Sequence, residues 1–182
     1  HHKLNNGTNP EVKYLELNTN NAQLDDASIF NDTAPTSSVF TIGSASDTGG
    51  GSGGNNEKII AYCFAEKTGY SRFSSYTGNG NADGTFVYTG FKPAFVMVKR
   101  YDGTGLSWRF FDSKRHYNGD REFMYANLSD AEAGGDNMDF LSNGFKSRNT
   151  SGHQNGNGDD YIYMAFAAEP LVGSNNIPAT AV

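Results

Sequence analysis

Residues 160–167 read DYIYMAFA, and residues 58–65 read KIIAYCFA. Each is a short run of β-branched and aromatic residues that follows a Gly/Asn-rich loop, SGHQNGNGDD (151–160) in one case and TGGGSGGNNE (48–57) in the other. An apolar run of this length between turn signals reads as a buried strand. Aligning the two runs sets Phe64 on Phe166. The similarity extends upstream in the same order. KYLELNTNNAQ (13–23) lines up with EFMYANLSDAE (122–132), placing Tyr14 on Phe123, Asn18 on Asn127 and Ala22 on Ala131. SSVFTIGSAS (37–46) then corresponds to MDFLSNGFKS (138–147). Four segments in one order, offset by about 100 residues, read as two copies of one β unit.

Turn-forming residues punctuate the rest of the chain every 8–12 residues, a spacing that favours many short strands over helices. The expected strands are KYLELN (13–18), SVFTIG (38–43), KIIAYCFAE (58–66), TFVYTGF (85–91), AFVMVKR (94–100), SWRFFD (107–112), EFMYAN (122–127), MDFLSNGF (138–145) and YIYMAFAAE (161–169). Only NLSDAEA (127–133) suggests a helical turn, which Gly134 and Gly135 would end. The expected fold is all-β, a β-sandwich of jelly-roll-like arrangement built from two tandem copies, the first incomplete at its N-terminus. Residues 1–66 form the first unit, 67–93 a connector and hairpin, and 94–182 the second unit. A single domain overall is the alternative organisation. His1, His2 and Lys3 align with 112–114, so the chain is expected to begin inside the first copy, with the two histidines native rather than tag residues. Unpaired strand edges in that copy would then need strands from elsewhere.

Composition narrows the function. A net charge of -6 with 14 scattered Lys and Arg argues against nucleic acid as a partner, which would need a basic patch. Cys63 is the one cysteine, so no intrachain disulfide forms, and its apolar setting reads as a buried structural thiol. No cysteine or histidine spacing supports a structural zinc. YIYMAFAA (161–168) is far shorter than the ~20 residues that cross a bilayer as a helix.

The stretch TGNGNADGTF (77–86) invites a cation or a phosphate. Asn79, Asn81, Asp83 and Gly84 match the first ligand positions of a calcium loop, but Gly90 stands where the bidentate acid belongs. As a nucleotide cradle the stretch carries Asp83 in place of the third glycine and precedes a strand rather than a helix. The expectation is a turn in which Asp83 makes a local hydrogen bond. NGNGDD (155–160) repeats that composition with Asn155, Asn157, Asp159 and Asp160, and again reads as a solvated hairpin loop. Asp112, Arg115, His116, Asp120 and Glu122 form the densest polar cluster. A glycosidase needs two carboxylates at a set separation, yet DSKRHYNGDRE (112–122) reads as a charged connection between strands. No GxSxG elbow or HExxH motif is present, and nothing assembles a nucleophile with its base. Trp108 and the ten tyrosines could stack on sugars, but Trp108 alternates with Phe110 along one strand, which favours a place in the core. No catalytic, cofactor-binding or metal residue is assigned.

Five pieces carry a resemblance: IAYCFAEKTGYSRFSSYTGNG (60–80), DGTFVYTGFKPAFVMVKR (83–100), WRFFDSKR (108–115), DFLSNGFK (139–146) and YIYMAFAAEPLVGSNNIPATA (161–181). In this order they resemble a C-terminal domain of structural proteins from bacteriophages, especially those of marine bacteria, found in tail fibres and other virion appendages. The resemblance implies a virion component without catalytic residues or cofactor. It implies other virion proteins and further copies of itself as partners, as a homotrimer, with host cell-surface glycan a further candidate partner. It also implies that the final PLVGSNNIPATA (170–181) is a natural C-terminal end. The expected role is structural, in host attachment. A glycan-binding module is the alternative, and a polysaccharide-degrading tailspike enzyme comes last. Neither nucleic acid nor membrane insertion is expected.

Overall fold

In the computed structural model, described over residues 1–48, 58–115, 118, 122–135 and 137–169, the regular structure is mostly β and every strand pairing is antiparallel. The described strands are β1 (Lys13–Tyr14), β2 (Leu24–Asp25), β3 (Ser71–Thr77), β4 (Phe86–Tyr88), β5 (Pro93–Arg100), β6 (Arg109–Asp112), β7 (Met124–Tyr125), β8 (Met138–Leu141), β9 (Gly144–Ser147) and β10 (Asp160–Ala167). The chain divides into two compact units, one of residues 1–16 and 23–64, the other of 17–22 and 65–182.

The first unit has little regular structure. β1 and β2 form a two-residue ladder, and a one-turn helix, α1 (Ala27–Phe30), follows. Asp26 starts α1 by accepting from the Ser28 N–H at 2.8 Å, and Asn31 ends it in the left-handed region. Gly43 and Ala45 then donate their N–H groups to the carbonyls of Ile29 and Ser28. A side chain at position 43 would strike the Ser28 carbonyl, so glycine is required for this approach. These bonds draw 43–45 back onto α1, and SVFTIG (38–43) forms no strand, contrary to expectation. KIIAYCFAE (58–66) also forms none, and every residue in it is exposed, Cys63 included. The thiol expected in the core therefore faces solvent. The repeat seen in the sequence thus pairs segments of different structure, because among the described residues KIIAYCFA pairs with no strand while DYIYMAFA pairs with two.

The second unit is a two-layer sandwich. One sheet has the order β3-β10-β5-β6-β7 and the other β4-β9-β8. Tyr161, Tyr163 and Ala165 of β10, Val96 and Val98 of β5 and Phe111 of β6 face Val87, Met138, Phe140 and Phe145 from the second sheet. Aromatic edges lock the layers, with Phe145 packed edge-on against Tyr163 at 5.2 Å and against Tyr76 at 5.9 Å. β10 pairs with β3 from Tyr161↔Tyr76 to Phe166↔Ser71 and with β5 from Tyr161↔Arg100 to Phe166↔Phe95. Pro93, which has no N–H to give a ladder, begins β5 where the register with β10 shifts.

Three further expectations are corrected. β3 was not expected, since SRFSSYT carries three serines. It is an edge strand, where one side of the backbone and one face can stay polar. NLSDAEA makes no helical turn among the described residues, and Ala133 instead bridges to Phe123. On β6 the buried positions are Arg109 and Phe111, so Trp108 and Phe110 lie on the opposite, half-buried face, where Phe110 stacks on Phe95 at 5.9 Å. A one-residue error in facing turns every side chain of a strand over.

Candidate functional site

The two Asn/Gly loops that sequence analysis treated apart, 77–86 and 151–160, meet in the second unit around Asn155. This side chain is fully buried. Its amide nitrogen donates to Asn79 Oδ1 at 3.0 Å, to the Asn81 carbonyl at 2.9 Å and to the Asn149 carbonyl at 2.8 Å. Its amide oxygen accepts from the N–H groups of Asn79 and Thr85 at 3.1 and 3.4 Å. Backbone bonds reinforce the contact, from Gly78 to the Asp159 carbonyl, from Gly80 to the Asn155 carbonyl and from Gly158 to the Gly78 carbonyl. A Cβ at Gly78 would lie 2.3 Å from the Gly156 carbonyl oxygen, so only glycine lets the loops come this close.

The chemistry of that node is the reverse of a cation site. Oxygens from Asn79, Asn81 and Asn149 converge on an NH₂ group, the donor that satisfies them. The carboxylates nearby are engaged elsewhere. Asp83 pairs with Lys146 at 2.7 Å and Arg148 at 2.8 Å, and Arg148 also holds Asp139 at 2.6 Å. The hydrogen bond from Lys146 holds the Asp83 carboxyl below the usual carboxylate range, with Arg148 adding to it. The local turn bond expected of Asp83 is made by Asn79 instead, whose Oδ1 accepts from the Asn81 N–H at 3.0 Å. Asp159 pairs with Arg100 at 2.9 Å, and Asp160 accepts from the Thr77 hydroxyl at 2.7 Å. Asn157 supplies the side chain that Gly80 packs against. Gly84 lies against the Ser147 carbonyl, and Gly90 adopts a positive φ of 84° beside Tyr88. Among the described residues no group of three or more His, Cys, Asp or Glu could hold a metal ion.

The carboxylate cluster resolves in the same direction. Asp112 accepts from the N–H groups of Lys114 and Arg115 at 2.9 and 3.1 Å and from the Arg115 guanidinium at 2.5 Å. Burial works against its charge, but these hydrogen bonds prevail and hold its carboxyl below the ordinary value. Arg115 reaches on to Glu132 at 2.8 Å. His116 and Asp120 lie outside the described residues. A side chain at Gly134 would meet Glu122 Cγ at 3.7 Å.

Three buried polar side chains were not singled out from sequence. Arg109, inside the sandwich, lays its guanidinium 4.0 Å over the Phe123 ring and reaches Ser151 and Gln154 at 3.5 Å. Gln154 is fully buried beside it. Lys99 is 0% exposed, and its ammonium donates to the Leu106 carbonyl at 2.8 Å and the Asn20 carbonyl at 3.5 Å. Burial pulls its pKa down to about 8, with the neighbouring Arg100 adding to the fall and Asp102 opposing it. A strand position next to a visible β pattern could have flagged Lys99. No local signal marks Gln154, and the Asn155 partners Asn79, Asn81 and Thr85 lie 70 or more positions away.

A two-layer antiparallel sandwich with polar loops knotted at one end is the class of protein that fold and loops define. A domain family of unknown function, DUF7483, matches residues 1–170, and the chain belongs to that family. The match runs through both compact units. No curated protein and no solved structure is significantly similar to the chain. Among the described residues, no helix is long and apolar enough to cross a membrane.

Proposed function

We propose that the chain is a non-enzymatic structural protein of a bacteriophage virion, part of a tail fibre or similar appendage that contributes to host attachment. The observation that carries this reading is the ordered set of pieces between 60 and 181 that resembles such proteins. The engagement of the candidate carboxylates and amides in holding loops together supports it, since a scaffold needs rigid loops more than free acids. Copies of the chain assemble as a homotrimer beside other virion proteins, and several weak contacts sum to avidity at the host surface. Gold-labelled antibody against the chain tests this on intact phage particles. Label on an appendage is the expected outcome, and particles that stay unlabelled while the antibody binds the isolated chain overturn the reading. Sizing the purified chain tests the threefold state.

One observation favours glycan recognition as a second reading. Phe86 and Tyr88 are 44% and 61% exposed on one face of β4, where alternate residues stand ~7 Å apart. Two flat rings at that spacing suit a pyranose chain, unlike the half-buried Trp108. Binding of the intact assembly to host lipopolysaccharide, weakened about tenfold by Tyr88→Ala, is the expected result. An array without any bound glycan would leave the structural role alone. For a polysaccharide-degrading activity, the assay is release of new reducing ends, and none after prolonged incubation with host polysaccharide removes that reading.

A further inference from the structure

The sandwich of the second unit has β3 and β7 at the edges of one sheet and β4 and β8 at the edges of the other. An edge strand offers its outward N–H and carbonyl groups to any passing strand unless something covers them. On β3, Ser71 is bridged to Lys67, and Phe73 donates its N–H to Glu66 Oε1 at 3.1 Å. The Thr77 carbonyl there accepts from the Thr85 hydroxyl at 3.0 Å. On β8, the Asn118 side chain stands in for a strand. It accepts from the Phe140 N–H at 2.9 Å and donates to the Phe140 carbonyl at 3.0 Å. Beside β7, Phe123 is bridged to Ala133. The edge of β4 is different. Ser147 donates to the Thr85 carbonyl and Thr89 donates to the Asn143 carbonyl, so the bonds toward β9 fall on odd-numbered residues. The N–H and carbonyl groups of Phe86 and Tyr88 point away from β9, and among the described residues no hydrogen bond engages them. The surrounding TFVYT (85–89) also lacks the charge or proline that blunts an exposed edge.

We propose that β4 pairs antiparallel with β4 of a second copy of the chain, about a twofold axis through Val87. The segment itself selects this partner. TFVYT reads almost the same in either direction, so the twofold sets Thr85 across from Thr89, Phe86 across from Tyr88 and Val87 across from its own copy. The two Phe86–Tyr88 pairs are then the hydrogen-bonded ones, and their outward N–H and carbonyl groups satisfy each other. Phe86 and Tyr88 of both copies share the exposed face, as cross-strand aromatic pairs of the kind that stabilise a sheet, while Val87 stays on the buried face. Charge favours the match. Lys146, which lies across from Phe86 in β9, is paired with Asp83, and Arg148 with Asp83 and Asp139. A second copy thus brings one uncharged edge to another. The contact is isologous, and it joins the two three-stranded sheets into one continuous sheet. It uses the backbone edge and leaves the outer faces of the rings open, so it stands independently of the virion and glycan readings.

Cysteine cross-linking in the full chain tests the register, on a Cys63→Ser background that removes the exposed native thiol. A mixture of Phe86→Cys and Tyr88→Cys chains should cross-link about tenfold faster than either alone. Directly opposed positions of such a pair lie ~5.5 Å apart at Cα, within disulfide reach. No gain in the mixture overturns the proposal, as does a rate no faster than that of Thr104→Cys, another exposed position. Sedimentation equilibrium gives a second measurement, in which the mass of the wild-type chain should rise with concentration. Phe86→Lys combined with Tyr88→Lys sets like charges opposite each other and should raise the dissociation constant about tenfold. Phe86→Lys combined with Tyr88→Glu should restore it. Both side chains are exposed in the single chain, so these changes leave its fold intact. Identical masses for all three chains at every concentration also overturn the proposal, whereas an unlabelled virion would bear on the functional reading alone.

Discussion

Two segments with nearly the same pattern of side chains, 58–65 and 160–167, end in opposite environments. β10 lies between β3 and β5 and contributes Tyr161, Tyr163 and Ala165 to the core. KIIAYCFA stands exposed along its whole length. The difference teaches that strand propensity describes what a segment can accept, while pairing depends on an edge being available to it. For 160–167 that edge is in the same chain.

The largest test of this contrast replaces aligned residues. Tyr161→Ala removes a buried ring and its bonds to Gly152 and Gly156, and should cost about 3–5 kcal/mol in urea unfolding. Ile59→Ala, at the aligned position, should change the stability of the dilute chain by less than about 0.5 kcal/mol. Equal losses, independent of protein concentration, would mean that 58–65 is buried within a single chain after all.

A smaller effect is expected from the knot that closes one end of the sandwich. Asn155→Ala leaves the oxygens of Asn79, Asn81 and Asn149 without their shared donor, at a cost of about 2–3 kcal/mol. Calcium added to the wild-type protein should leave its melting temperature unchanged. A rise with calcium would return these loops to the metal-binding reading.

Lys99, paired across the ladder with Ile162 of β10, makes the contrast depend on pH. Its folded pKa of about 8 lies below the ordinary 10.5, so the unfolded chain holds the proton more tightly between those values. Stability should therefore carry the full cost of the buried charge below pH 8 and recover as pH rises from 8 toward 10.5, by up to about 3 kcal/mol. Thermal unfolding against pH should show this slope in the wild type and lose it in Lys99→Met. The smallest effect belongs to Asp83, an exposed partner of Lys146 and Arg148. Because its carboxyl is held low, its contribution is present near neutrality and fades as the solution is acidified. Asp83→Asn should differ from wild type only marginally in denaturant at neutral pH.

Much of the sandwich was legible from residue pattern. AFVMVKR, SWRFFD, MDFLSNGF and YIYMAFAAE all contain strands, because aromatic and β-branched runs between Gly/Asn turns carry that signal locally. β3 was not legible, since the serines of an edge strand resemble a loop. SVFTIG and KIIAYCFAE misled for the converse reason, as their strand signal is independent of whether a neighbour exists. The loop node was half legible. Gly90 and Asp83 already excluded calcium-loop and phosphate patterns, but Asn155 acts on Asn79 and Asn81 across more than 70 positions of sequence. Such a contact leaves no local trace.

The order of strands has a consequence for how the chain is made. β3 and β5 are neighbours of β10 and not of each other, and β10 is the last described strand to be synthesised. During translation the β5–β6 ladder can form early, yet β3 has no place in the sheet until residues 160–167 have emerged. The sandwich therefore closes through contacts of long sequence separation, a topology that folds slowly. Until then its two middle edges stand open, and the growing chain depends on the timely arrival of one late strand to avoid pairing with its neighbours.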